Sequence, residues 1–172
     1  MTHTFSISEL NSMSEYQFTQ ALGAIFEHSP WVAQRAAERR PFQTVAQLHQ
    51  AMATVVRDAH LDERIKLIRA HPELAGKAAM RGELTVESTR EQRGAGLDQC
   101  SPEEFAEVQD LNQRYNDKFG FPFVIAVKGH DRYSILSHFR QRLDNDKVAE
   151  ANECIEQIIK IGGFRLSDAV SE

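Results

Sequence analysis

Residues able to do proton chemistry crowd the stretch from His71 to Leu97. It reads His71-Pro72-Glu73-Leu74-Ala75-Gly76-Lys77, then Ser88-Thr89-Arg90-Glu91-Gln92, then Gly94-Ala95-Gly96-Leu97. An imidazole titrates near neutral pH and can take or give a proton. A carboxylate such as Glu91 can orient it and favour its charged form. Ser88 and Gln92 supply neutral hydrogen bonds that fix a polar ring. A helical core stripe or a solvated surface needs no such mixture. A pocket for a small polar substrate does.

Each residue also has a plainer reading. His71 precedes a proline, where a helix is expected to end. The helix dipole there favours imidazolium, and a histidine can simply cap the last carbonyls. Ser88, Glu91 and Gln92 share one helical face, and a polar face is commonly a solvated one. The small residues that follow argue otherwise, because they let a backbone or a ligand approach closely. Arg165 falls on the inward stripe of the last helix, in register with Ile158 and Gly162. An inward guanidinium requires an anion, either a carboxylate side chain or a ligand, unless it snorkels to the surface.

Other chemistries find no support. His130 and His138, like His49 and His60, are too far apart in sequence for a simple metal pair. No HxxxH or HExxH occurs, so no metal is expected. There is no GxGxxG, Walker loop or GxSxG, so no nucleotide, flavin or other cofactor is expected, nor an acyl-enzyme serine.

Helical periodicity dominates the elements that must position these residues. Ser14 and Gln17 form a capping box before Phe18, Leu22, Ile25 and Phe26. Ser29-Pro30 reads as a helix start with proline at the first helical position. Thr44 and Gln47 predict a second box, before Val45, Leu48, Met52, Val55 and Val56. A helix over residues 62–70 turns Ile65 and Ile68 inward. Ser101-Pro102-Glu103-Glu104 starts a helix carrying Phe105, Val108, Leu111 and Tyr115. Ile135, Leu136, Phe139 and Leu143 mark another. Asp146 opens the last, with Val148, Ala151, Ile155, Ile158 and Ile159 inward. Phe121-Pro122-Phe123-Val124-Ile125-Ala126-Val127 is the exception. It is β-rich yet has no strand partner, and so predicts an extended segment threaded through a helical core. Its unpaired backbone groups would be open to a ligand. The fold expected is all-α, a single helical domain over residues 1–172 with one extended segment around residues 121–127.

The 172 residues suit one domain with a real core. A net charge of −5 argues against a nucleic-acid partner, which needs clustered cations, but permits a small anionic substrate. Cys100 and Cys154 have no metal-site spacing and predict free thiols. No apolar run is long enough to span a membrane. The opening Met1-Thr2-His3-Thr4-Phe5 lacks a signal-peptide pattern, and the cytoplasm is the expected location.

Together the blocks resemble a known family. His71-Pro72-Glu73-Leu74-Ala75-Gly76, Ser88-x-x-Glu91-Gln92-x-Gly94-Ala95-Gly96-Leu97 and the run from Phe119 to Gly129 match, in order and spacing, OHCU decarboxylase. That family acts on 2-oxo-4-hydroxy-4-carboxy-5-ureidoimidazoline in urate breakdown. Leu10-Asn11 and Arg165-Leu166 also fit its pattern. The resemblance implies an all-helical, cofactor-free lyase that forms (S)-allantoin and assembles as a homodimer. It implies that His71 is the catalytic imidazole and Glu91 its partner. Ser88, Gln92 and Arg165 would hold the ring, ureido group and carboxylate. Pro72 and the backbone of Phe123, Val124, Ile125, Ala126 and Val127 would line the pocket. Gly162-Gly163 depart from the family's usual helix-favouring residues, a change that predicts a looser turn before Arg165. A helical protein-interaction module without catalysis is the alternative, and a cofactor-free hydrolase of a neighbouring purine intermediate is another.

Overall fold

Local capping chemistry starts most of the helices. The Ser14 and Ser101 side chains accept from the backbone N–H groups of Gln17 and Glu104, whose own side chains accept in return from the serine N–H groups. The boxes at Ser14 and Ser101 are thus complete. Thr44 accepts from Gln47 N–H, but Gln47 turns its oxygen to Gln43 N–H instead of Thr44, so this box is half-formed. Before Trp31, Pro30 rather than Ser29 holds the cap position, and the Ser29 hydroxyl donates to the Glu27 carbonyl.

The computed structural model describes residues 4–172. Met1, Thr2 and His3, where a targeting signal was sought, lie outside the described residues. Ten α-helices and one pair of two-residue strands occur among the described residues. The fold is all-α. No described helix is long and apolar enough to cross a membrane.

The chain divides into two compact units. One runs to Ala70 and resumes at Ile158; the other is His71–Gln157. The first holds α1 (Ile7–Ser12), α2 (Glu15–Leu22), α3 (Trp31–Ala37), α4 (Val45–Asp58) and α5 (Leu61–Ala70). It also holds the later part of α10 (Lys147–Ala169). Helix α3 packs on both α2 and α4. Leu48, Met52, Val55 and Val56 recur at helical spacing on α4 and are buried. Strand β1 (Phe5–Ser6) pairs in parallel with β2 (Val170–Ser171), a bridge too short for a period-2 signal. Helix α10 runs unbroken through Gly162 and Gly163. A Cβ at Gly162 would lie 2.8 Å from the Phe26 ring, and one at Gly163 would lie 2.9 Å from the His49 ring. The glycines therefore admit two close rings and do not loosen the turn. Val148, expected inward, is 73% exposed.

The second unit holds α6 (Lys77–Met80), α7 (Val86–Gly94), α8 (Pro102–Phe119), α9 (Arg132–Arg142) and the start of α10. Its core is aromatic. The Tyr115 ring lies 4.5–6.0 Å from Phe119, Phe121, Phe123 and Phe139, and Phe123 stacks on Phe139 at 4.0 Å. Such pairs add about 0.5–1.5 kcal/mol each beyond burial. They anchor residues 121–127, which form no strand, as expected from their missing partner.

Candidate active site

Helix α7 inverts the usual rule of burial. Its apolar Val86 is 70% exposed, while Ser88 and Gln92 are 4% and 7% exposed. Glu91 lies half-buried between them. Thr85 caps the helix by accepting from Ser88 N–H, which fixes the phase of the face. Buried polar groups are tolerated where they are hydrogen-bonded, and this face is turned inward instead of being a solvated surface. Gly94, by contrast, faces open space, and Gly96 takes a left-handed turn at φ 77. The small residues at these two positions serve a chain reversal rather than a close approach.

His71 is buried directly after α5 ends, as the following proline predicts. The loop beyond it is tied to α7. Gln92 accepts from Ala75 N–H at 3.0 Å and donates to the Glu73 carbonyl at 3.3 Å. Residues 123–127 are buried throughout. Two of their backbone groups, expected to be open to a ligand, have protein partners instead. Arg142 donates to the Val124 carbonyl at 2.6 Å, and Ala126 N–H donates to Gln157 at 3.0 Å. Arg142 is itself paired with the fully buried Glu150 at 2.5 Å.

Arg165 belongs to the first unit. It is buried, as its helical phase predicts, and donates to the buried Glu27 carboxylate at 2.9 Å. Its other terminal nitrogen reaches the Ala24 and Ile25 carbonyls at 3.4 Å. A carboxylate side chain thus supplies an anion for this arginine.

Two further features stand out in the second unit. A cavity of about 320 Å³ is lined by Ala75, Thr89, Gln92, Leu97, Cys100 and Phe105 among others, but by neither His71 nor Ser88. His130 and His138, remote in sequence, bring their rings to 5.1 Å. No described group of three or more histidine, cysteine or acidic residues is arranged to hold a metal.

Known proteins resemble this chain over nearly its whole length. The family model described as OHCU decarboxylase matches residues 11–167. The chain belongs to the OHCU decarboxylase family. The 2-oxo-4-hydroxy-4-carboxy-5-ureidoimidazoline decarboxylase of Haloferax volcanii is 37% identical over 98% of this chain and 98% of its own. The uric acid degradation bifunctional protein PucL of Bacillus subtilis is 38% identical over 98% of this chain, which spans only 33% of that relative. A crystal structure of (S)-allantoin synthase superposes with a TM-score of 0.79 at 25% identity, covering 97% of this chain and 54% of that one.

Within the family frame, several residues around the site escaped the sequence reading. Arg142, Glu150 and Gln157 support the extended segment. Gln109, Asn112 and Asn116 hold the loop after His71. The last three do carry a signal, since their spacing places them on one face of α8. Nothing local separates that face from a solvated one.

Proposed function

We propose that this chain carries out the cofactor-independent decarboxylation of 2-oxo-4-hydroxy-4-carboxy-5-ureidoimidazoline to (S)-allantoin in urate degradation. The observation that carries the reading is the buried polar face of α7, tied by Gln92 to the loop that follows His71. The match to the OHCU decarboxylase family speaks against an interaction module.

The substrate bears its carboxylate on a carbon that also holds a hydroxyl, beside a ring C=N bond. When the carbon–carbon bond breaks, its electron pair moves toward that C=N and carbon dioxide leaves. The hydroxyl gives up its proton as it becomes a carbonyl, while the ring nitrogen and one face of the neighbouring carbon each gain a proton, the net addition being one proton from solvent. The substrate provides its own electron sink. His71 takes the hydroxyl proton, and Glu91 orients the imidazole and stabilises its charged form. Ser88 and Gln92 fix the ring, with Pro72 and residues 123–127 lining its surroundings. Arg165, oriented by Glu27, anchors an anionic group of the substrate.

We assign one domain-level function to residues 1–172, since the family match runs through both units. Both cysteines are free, which suits a cytoplasmic location. Assembly as a homodimer follows from the family resemblance.

The test is optical. Freshly generated substrate decays spontaneously to racemic allantoin, whereas the enzyme gives a circular dichroism signal. His71→Asn is expected to lower turnover about 100- to 10,000-fold while the thermal melt stays cooperative. Wild-type turnover in a folded His71→Asn protein removes His71 from the mechanism. A racemic product from the wild-type chain removes the activity.

A further inference from the structure

The loop after His71 is held from outside itself to an unusual degree. Ala75 sits at φ 48, a left-handed conformation that non-glycine residues keep only where surroundings enforce it. Four side-chain amides from two helices supply the enforcement. From α7, Gln92 binds the Ala75 N–H and the Glu73 carbonyl. From α8, Gln109 donates to the Ala75 carbonyl at 2.8 Å, and Asn112 donates to the Leu74 carbonyl at 3.0 Å. Asn116 donates to the Glu73 carboxylate at 2.7 Å. Three successive residues thus have their main chain bound by side chains far away in sequence.

The placement has a cost that the fold accepts. Asn112 is 4% exposed, and its Oδ1 is buried without a hydrogen-bond partner. A leucine there would bury no amide oxygen, at the cost of the donor to the Leu74 carbonyl. The asparagine is explained if its N–H group is needed on the loop. Gln92 has both ends of its amide on the loop, so holding the main chain accounts for its burial as directly as ring binding does.

We propose that Gln109, Asn112 and Asn116, with Gln92, form an amide clamp that presets the loop after His71, making α8 a positioning element for catalysis. The three amides of α8 act through His71 and touch no substrate, whereas Gln92 both holds the loop and fixes the ring. It rests on the reading of His71 as the proton-transfer group. All four donors are neutral amides, so the clamp holds its geometry across the pH range in which an imidazole titrates. Misplacing a proton-transfer group lowers turnover without weakening binding in proportion.

The experiment uses the full chain with Asn112→Leu and the milder Gln109→Met, which changes a half-buried position. Gln113→Ala, on the exposed side of α8, is the control. Three quantities are read: kcat and KM from the dichroism of the allantoin formed, the thermal midpoint, and the imidazole resonance that disappears in His71→Asn. The clamp predicts a fall in kcat of about tenfold or more with KM within about threefold. It also predicts a His71 resonance that broadens or splits, the mark of a ring sampling several positions. Wild-type kcat per folded molecule with an unchanged His71 resonance, whatever the melting temperature, overturns it. So does a rise in KM at constant kcat. Should the wild-type chain form no (S)-allantoin, the activity reading fails alone, and the His71 resonance still decides the clamp.

Discussion

Each unit buries an arginine against a glutamate, and the two pairs are built differently. Arg142 and Arg165 are equally exposed, at 7%. Arg142 commits every guanidinium nitrogen to its own unit. Nε donates to Glu150 at 2.5 and 3.2 Å, one terminal nitrogen to the Val124 carbonyl, and the other to the Cys154 sulfur at 3.3 Å. The guanidinium also lies 4.3 Å over the Phe123 ring. Arg165 has a 2.9 Å bond to Glu27 and 3.4 Å contacts to two carbonyls. Burial pushes the Glu150 carboxyl above its ordinary range, and the Arg142 charge opposes that shift. A buried arginine's role follows from what its remaining donors meet, and neither burial nor a glutamate partner reveals it. Arg142 holds a backbone in place. Arg165 is held in place, and a substrate anion as its further partner is our proposal.

The largest effect on stability is expected from breaking the Arg142 pair. Arg142→Met leaves Glu150 buried without its partner, a loss of about 3–5 kcal/mol. In a chain of this size each kcal/mol lowers the melting temperature by about 2–4 °C. Arg142→Met combined with Glu150→Leu should restore most of the stability, because apolar groups replace a buried pair at little net cost. Turnover should stay low in the double variant, since the Val124 carbonyl has lost its donor. If activity returns together with the melting temperature, Arg142 only packs, and the contrast with Arg165 changes its meaning.

Arg165 should respond in the opposite sense. Arg165→Lys keeps a charge beside Glu27 but loses the planar fork. Losing one charge-assisted hydrogen bond of about 1.5–3 kcal/mol corresponds to roughly a 10- to 100-fold fall in kcat/KM. Melting temperature and substrate saturation are measured on the same preparation. A lower melting temperature with unchanged saturation and turnover would make Arg165 a structural residue of the same kind as Arg142.

That contrast marks where the sequence stops being legible. Helix starts at Ser14 and Ser101 are readable because a cap and its partner lie three residues apart. The face of Ser88, Glu91 and Gln92 is readable as a face, and its burial is not, because spacing carries phase without saying what covers it. The extended segment is readable from composition and from its missing partner. Its supports are not, since Arg142 and Gln157 look like any surface arginine and glutamine on a helix. The same holds for Asn112, whose carbonyl partner lies 38 residues away in the chain. The two strands escape because two residues are too few to show an alternation. Gly162 and Gly163 mislead for a related reason. Sequence shows their poor helix propensity, and only packing shows the rings they admit.

Gly162 therefore offers the finest test of how Arg165 is held. Gly162→Ala gains about 1 kcal/mol in helix propensity. Against this, the new Cβ would lie 2.8 Å and 3.0 Å from two carbons of the Phe26 ring. That ring is 2% exposed and has little room to turn away. Overpacking of this kind costs about 1–3 kcal/mol, so a net loss near 1 kcal/mol is expected. Phe26 sits between Ile25, whose carbonyl meets Arg165, and Glu27, whose carboxylate pairs with it. Displacing the ring should shift both, and kcat/KM should fall further than stability alone explains. Gly94→Ala in α7 is the matched control, because its Cβ would meet nothing within 4 Å. Denaturant midpoints and kcat/KM for the two variants decide the matter. If Gly162→Ala is as mild as Gly94→Ala by both measures, Phe26 yields to the methyl group, and close packing of α10 does not set the position of Arg165.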